Sequence, residues 1–411
     1  MPEDTDRNTD PGGNDPTLRS LAASVYLPTL LFAIGQGAII PQVALTARDL
    51  GASVAVAGLA VAVRGIGTMV FDIPSGVMVA RLGERRAMLV ATLLLTVSLI
   101  GCISAASVWV FIGWTFLMGS GWSVWLLARL TYVSDVMPQH LRGRALSTMG
   151  GVQRVGTFVG PFLGAGAVVL AGFDGAYYVH LALALAGAAV LYSVADPHRA
   201  ATARPGTHAA LDLRGIGRRH MSVLLTGGVG VLALSVLRAS RQVVLPLWAE
   251  HIGLDAATVG VIFGASAAID MTLFYPAGSI SDRFGRKVVA VPCMTLMSVG
   301  LLLIPFTATF WSLVAVAMLL GFGNGLGSGI VMTLGADFSP QQGRAEFLGV
   351  WRLVGDVGTA GGPLVASAIA AFSLAAASVT VGVIGLAGAA LVLFKMPEPF
   401  RPTNSGAKTT I

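Results

Sequence analysis

The chain is built from runs of Leu, Ala, Val and Gly longer than 18 residues, separated by short polar joints. A helix needs about 20 apolar residues to cross a bilayer, and inside hydrocarbon each backbone amide must find its partner within its own segment. Such runs are too long and too uniform for the ten-residue alternating strands of an outer-membrane barrel. Composition agrees: 55% of the 411 residues are hydrophobic and 11% are charged, whereas a soluble domain averages about 25% charged. The sequence therefore predicts an all-α integral membrane protein with the lipid bilayer as its principal partner and no sizeable soluble domain.

Twelve spans are predicted, at 21–44, 54–79, 87–106, 108–132, 144–170, 174–195, 221–248, 256–280, 288–308, 310–335, 345–370 and 373–396. Residues 1–20, acidic and rich in Pro, Asn and Gly, read as a disordered tail, and 397–411 as a second tail. Alternate joints carry Arg81, Arg85 and Arg86, then Arg142 and Arg144, then Arg283, Arg286 and Lys287, then Arg344, while the other joints carry little beyond Arg48. By the positive-inside rule both tails are expected in the cytoplasm, with the chain in a plasma or inner membrane. The joint 196–220, with Pro197, Pro205, Arg199, Arg204, Arg214, Arg218 and Arg219, divides an N-terminal bundle, 21–195, from a C-terminal bundle, 221–396.

One offset of 202 residues superposes the two halves. Gly51 falls on Gly253, Pro74-Ser75-Gly76 on Pro276-Ala277-Gly278, and Arg81-Leu82-Gly83 on Arg283-Phe284-Gly285. Asp135 with Pro138 falls on Asp337 with Pro340, and Gly156-x-x-x-Gly160-Pro161 on Gly358-x-x-x-Gly362-Pro363. Matches of Gly, Pro and charge at a single offset mark an internal repeat of two pseudo-symmetric six-helix bundles.

The joints carry a more specific signal. Gly278-Ser-Ile-Ser-Asp282-Arg283-Phe-Gly285-Arg286-Lys287 resembles, without a departure, the Gly-x-x-x-Asp-Arg-x-Gly-Arg-Arg/Lys joint of the major facilitator superfamily. The first-half joint keeps Gly76, Arg81, Gly83 and Arg85 but has Ala80 and Glu84 where the family has Asp and Arg. With two parallel six-helix repeats, the chain resembles that superfamily over nearly its whole length. Ser147-(x8)-Gly156-(x3)-Gly160-Pro161-x-x-Gly164-Ala165 is similar to the drug/proton antiporter signature, departing at Ser147 and Ala165. The resemblance implies a secondary active transporter of a small organic solute, working by alternating access as a monomer. Proton-coupled efflux by antiport is the first expectation, and proton-coupled uptake of an organic anion or sugar-like solute the alternative.

Charges inside spans are costly unless they face a wet cavity or a partner, so they mark the chemistry. They are Arg64 and Asp72 on the second span, Arg129 on the fourth, Arg154 on the fifth, Arg238 and Arg241 on the seventh, Asp270 on the eighth, and Arg352 and Asp356 on the eleventh. Asp270 and Asp356 come at about the bilayer midplane and are the leading proton-coupling candidates, with Arg352 four residues before Asp356 as a possible local partner. Asp72, beside Pro74, is read first as a gate residue pairing with a joint arginine and second as a proton site. Arg64 has no local partner. By position in the superfamily, the expected cavity lining is Tyr26, Gln36, Trp122, Trp125, Gln153, Arg154, Arg238, Arg241, Gln242, Asn324, Ser328 and Arg352. Six arginines against three aspartates favour an anionic or hydrogen-bonding solute over a cation. Asp282 is expected to meet the start of the fifth helix near Arg144 and Ala145, and Glu346 to serve the start of the eleventh.

Other classes find no support. No Gly-x-x-x-x-Gly-Lys-Ser/Thr loop binds a nucleotide phosphate, and the six histidines show no metal-ligand spacing. No cofactor or metal is expected, the proton gradient supplying the drive. Cys102 and Cys293 lie in apolar runs and read as packing residues. The net charge of +6 forms no basic face, so no nucleic-acid partner is expected, and no enzyme motif is present.

Overall fold

The computed structural model describes residues 21–193, 219–340 and 343–398, so the joint 196–220, apart from its last two residues, and most of both tails lie outside the described residues. Among the described residues, twelve helices are long and apolar enough to span a membrane. The first six are α1 (Ala22–Ile39), α2 (Val54–Leu82), α3 (Glu84–Ile103), α4 (Val108–Val136), α5 (His140–Ala171) and α6 (Asp174–Ser193). The others are α7 (Met221–His251), α8 (Ala256–Phe284), α9 (Lys287–Phe306), α10 (Phe310–Phe338), α11 (Phe347–Ala370) and α12 (Leu374–Lys395). Their even number brings both described ends to one side, here called the terminal face; the opposite side is the far face.

The prediction ran α1 to residue 44, but the helix stops at Ile39 and a separate short helix, Val43–Asp49, follows on the far face. Predicted as one continuous rod, α10 is broken at 327–329, with Gly329 in the left-handed region (φ 76°) as the cap of the segment Ile330–Phe338. The corresponding stretch of α4 is unbroken.

Each half has its own core, one around Phe32, Trp125 and Tyr177 and the other around Trp248, Phe347 and Trp351. Within each half the offset is visible in side-chain contacts. Arg85 donates to the carbonyls of Leu191 and Tyr192 at the end of α6, and Lys287 donates to Leu393 at the end of α12. Ser53 caps α2 by accepting the Val56 amide, and Asp255 caps α8 by accepting that of Thr258. The joint glycines Gly83 (φ 78°) and Gly285 (φ 104°) hold a backbone conformation that a side chain strains, which is why both repeats place Gly there.

The glycine-proline motifs serve packing. A side chain at Gly160 would collide with the Ile34 carbonyl of α1, and one at Gly362 would meet the Val236 carbonyl of α7 at 2.8 Å. Gly156 and Gly358 lie as closely on α1 and α7. Small residues thus let α5 seat on α1 and α11 on α7, as expected where dispersion rather than hydrophobic burial drives helix association.

The halves meet chiefly toward the far face. Gln42 Nε2 donates to Ala256 O (2.9 Å), Arg48 pairs with Glu250, Gly58 lies against Val243 and Ser367, and Gly260 against Pro161 and Ala165. Closer to the terminal face, Gly150 on α5, Gly278 on α8 and Gly349 on α11 face open space, and Gly76 on α2 nears only Leu127 of its own half. Among the described residues, the space between the bundles is therefore closed at the far face and open at the terminal face.

Candidate functional site

Two ion pairs bridge the halves at mid-depth, one on each side of the central space. On the α5–α8 side, Arg154 Nη1 lies 2.6 Å from Asp270 Oδ1, and Asn324 Nδ2 of α10 donates to the other oxygen, Oδ2, at 2.5 Å. Arg154 also lies over the ring of Phe274, 4.4 Å from its centroid. On the α2–α11 side, Arg352 Nη2 lies 2.8 Å from Asp72 Oδ1, which also accepts from Ser123 Oγ of α4 (2.7 Å), and Arg352 Nε lies 3.5 Å from Asp356 Oδ2. Asp72 therefore takes its arginine from the opposite half rather than from a joint. A joint arginine would have to reach back from the helix end, whereas Arg352 projects across the interface at the acid's own depth.

Between these pairs stand three guanidiniums that form no salt bridge among the described residues. Arg64 donates to Gln36 Oε1. Arg238 Nη2 donates to the Gly327 carbonyl (2.8 Å), which at the break in α10 also accepts the Ile330 amide (3.2 Å). Arg241 Nη1 is 3.5 Å from Ser266 Oγ. Arg241 also lies within electrostatic reach of Arg238 and Asp270. The Nε atoms of Arg238 and Arg241 and the Ser328 hydroxyl are buried without a hydrogen-bond partner. Several donors are thus held ready, and positive charge is in local excess. The offset relates Gln36 to Arg238 and Arg64 to Ser266, so the same two positions on α1–α2 and α7–α8 build the polar centre in both halves.

Several expected lining residues are placed elsewhere. Trp125 is fully buried and stacks on Phe32 with ring centroids 4.0 Å apart, so it fills the N-terminal core instead of walling the cavity. The reason is local: α4 stays helical at the position where α10 breaks, and the indole occupies the space. Arg129 is buried, donates to Gln153 Oε1 and lies over Trp122 at 5.8 Å; this engages Gln153 and Trp122 within the N-terminal half. Trp114 packs over Gly101. Tyr26 sits at the terminal-face rim, its hydroxyl 3.4 Å from Ala145 O. Gln242 is half-buried on α7.

The joint motif also departs from expectation. Asp282 is 71% exposed and pairs with Arg286 on its own joint (2.6 Å) instead of reaching the start of α5. With the terminal face open, the neighbouring glycine of α8 faces open space, and Arg286, held by Asp337 (2.6 Å), is the cation within reach. Glu398 follows α12 and accepts the Arg286 and Lys287 amides at 2.8 and 3.0 Å, capping α9. The side chain of Glu346 lies outside the described residues. Among the described residues, no group of His, Cys, Asp and Glu is arranged to hold a metal ion.

Sequence reasoning missed Ser123, Ser266, Asp337, Glu398 and the Arg48–Glu250 pair. The repeat offset was a signal for the last, since Arg48 and Glu250 occupy equivalent positions. It also missed His180, fully buried on α6 against Phe32 with neither ring nitrogen hydrogen-bonded.

A twelve-span protein of two like bundles around a polar centre open to one side has the architecture of a secondary transporter. The family profile of the Major Facilitator Superfamily matches residues 25–241 and 228–410, and the chain belongs to that superfamily. Its relatives include the uncharacterized MFS-type transporter YcaD of Salmonella arizonae, 24% identical over 54% of this chain and 56% of the relative. They also include a D-xylose transporter of Levilactobacillus brevis (27% over 30% of this chain and 25% of the relative) and a hexuronate transporter of Bacillus subtilis (29% over 38% and 37%). The chain thus spans about half the length, or less, of these curated relatives. Among solved structures, the inward-open xylose transporter XylE of E. coli superposes with a TM-score of 0.70 at 17% identity, covering 93% of this chain and 97% of that one. A POT family transporter in complex with a thioalcohol-conjugated peptide superposes with a TM-score of 0.73 at 12% identity, covering 91% and 95%.

Proposed function

We propose that the chain is a proton-coupled, alternating-access transporter that takes up a small hydroxylated organic anion, of the sugar-acid or carboxylate class. The carrying observation is the pair Arg238 and Arg241 on α7, which among the described residues form no salt bridge and whose Nε donors are buried and unbonded. Buried uncompensated cations are costly, and a carboxylate placed between them offsets that cost with charge-assisted hydrogen bonds. Gln36, Ser266 and Ser328 then supply neutral partners for hydroxyls. The hexuronate and D-xylose transporters among the relatives fit this chemistry.

Export by antiport rested on the α5 glycine signature. Those glycines seat α5 on α1, and their counterparts seat α11 on α7 in the same way, so the pattern serves packing in both halves and argues for neither direction. Taking the basic joints as cytoplasmic, the terminal face is the cytoplasmic one, and the conformation described is inward-open. The chain functions as a monomer in the cell membrane with protons as its only drive.

The test uses the full chain in proteoliposomes loaded against labelled D-glucuronate or D-xylose. An outside-acid gradient is expected to accumulate glucuronate in preference to xylose, and Arg241→Gln is expected to reduce that accumulation at least tenfold. Glucuronate movement only against the proton flux establishes antiport and rejects uptake; equal handling of the neutral sugar rejects anion recognition.

A further inference from the structure

Asp72 and Asp356 come from different halves and meet at one guanidinium. Arg352 lies 2.8 Å from Asp72 and 3.5 Å from Asp356, and the two carboxyl groups face each other. Asp72 Oδ1 already serves Arg352 and Ser123, whereas Asp356 Oδ2 is buried and accepts no hydrogen bond. The other charged groups on helices packed against this point are engaged elsewhere. Arg64 of α2 is bonded to Gln36, Arg129 of α4 to Gln153, Arg238 and Arg241 of α7 to Gly327 and Ser266, and Asp337 of α10 to Arg286.

Two carboxylates on one guanidinium leave a net negative charge in a half-buried site, and like charges sharing such a site do not readily both ionise. One proton removes the excess charge and supplies the hydrogen bond that the buried oxygen lacks. We infer that Asp72 and Asp356 hold a single proton between them, as an acid–carboxylate pair that ties α2 to α11 across the two halves. This rests on the proton-coupled reading and gives the coupling proton its place.

Asp270, the other candidate, has both oxygens occupied, one by Arg154 and one by Asn324, and serves as a strut between α5, α8 and α10. When the bundles rock and α2 parts from α11, Asp356 keeps Arg352, four residues away on its own helix, but loses Asp72.

Infrared difference spectroscopy on the full chain in lipid nanodiscs tests this, following the deuterium-sensitive carbonyl stretch of a protonated carboxyl. Wild type is expected to show one such group at neutral pH. The band is expected to vanish in Asp72→Asn and equally in Asp356→Asn, because the remaining acid is then matched by Arg352, and to persist in Asp270→Asn. Arg352→Gln is expected to increase it about twofold, which separates proton sharing from mere misfolding of the aspartate variants. A band absent from wild type, unchanged in both single variants, or lost in only one of them overturns the shared proton. Vesicle uptake run in parallel separates the two claims: gradient-driven transport with an insensitive band removes this site and leaves coupling, whereas a shared band without gradient-driven transport removes coupling.

Discussion

Arg48 and Glu250 are related by the repeat offset of 202 residues and pair with each other, so their ion pair lies on the axis relating the bundles and closes the far face. Arg48 Nε lies 3.0 and 3.1 Å from the two Glu250 oxygens, and Arg48 Nη1 is anchored to Ala52 O at 2.5 Å. Exposed pairs contribute about 0.2–1 kcal/mol, because solvent screens them and two long side chains must be ordered. Both side chains here are about one-third exposed. The Ala52 carbonyl has already ordered the arginine, which puts the pair near the upper end, about 1 kcal/mol, or roughly fivefold in the ratio of far-face-closed to far-face-open molecules. Glu250→Gln should therefore shift that ratio roughly fivefold toward the far-face-open state, and less at high salt. Spin labels at Ala106→Cys and Ala308→Cys, exposed and equivalent positions in the α3–α4 and α9–α10 joints, report the change by pulsed dipolar distance measurement; native Cys102 and Cys293 are buried. Because the sites are symmetry-related, the double swap Arg48→Glu with Glu250→Arg should restore the wild-type distribution, with Leu254 O in the anchoring place of Ala52 O. An unchanged distribution in Glu250→Gln, or no recovery in the swap, refutes the latch.

At the opposite face, Asp282 is free of α5 in the open conformation and is expected to act only when that face closes, so Asp282→Asn should move the population several-fold toward the present state. Labels on the terminal-face ends of α5 and α8 read this, and an unaltered distribution removes the role. Gly160→Ala forces a methyl against the Ile34 carbonyl and should cost about 1–3 kcal/mol, seen as a lowered Tm, whereas Gly278→Ala, facing open space, should leave Tm nearly unchanged; equal losses contradict the packing argument. Asp255 caps α8, and its hydrogen bond from the Thr258 amide holds the carboxyl below the usual range. Its contribution, about 1 kcal/mol, is present at neutral pH and lost as pH falls through the depressed value, so the Tm deficit of Asp255→Ala should shrink below about pH 4. A deficit independent of pH sinks that account.

The architecture was legible in the chain because the bilayer leaves few solutions. Long apolar runs must be helices, basic joints orient them, and one offset carrying Gly83 onto Gly285 and Pro161 onto Pro363 declares two like bundles. The charged residues that build the centre were legible too, since an embedded arginine or aspartate announces itself by its cost. Their partners were not. Asp72 meets Arg352 from 280 residues away, and Arg154 meets Asp270 from 116, distances over which helix periodicity carries no information. Whether an aromatic faces the cavity or the core was equally hidden: Trp125 and Gly327 are repeat equivalents, yet one fills a core and the other opens a carbonyl to Arg238. Spacing along one helix sets which residues share a face; only the packing of the two bundles decides which faces meet, which charges neutralise each other, and which donors are left for a solute.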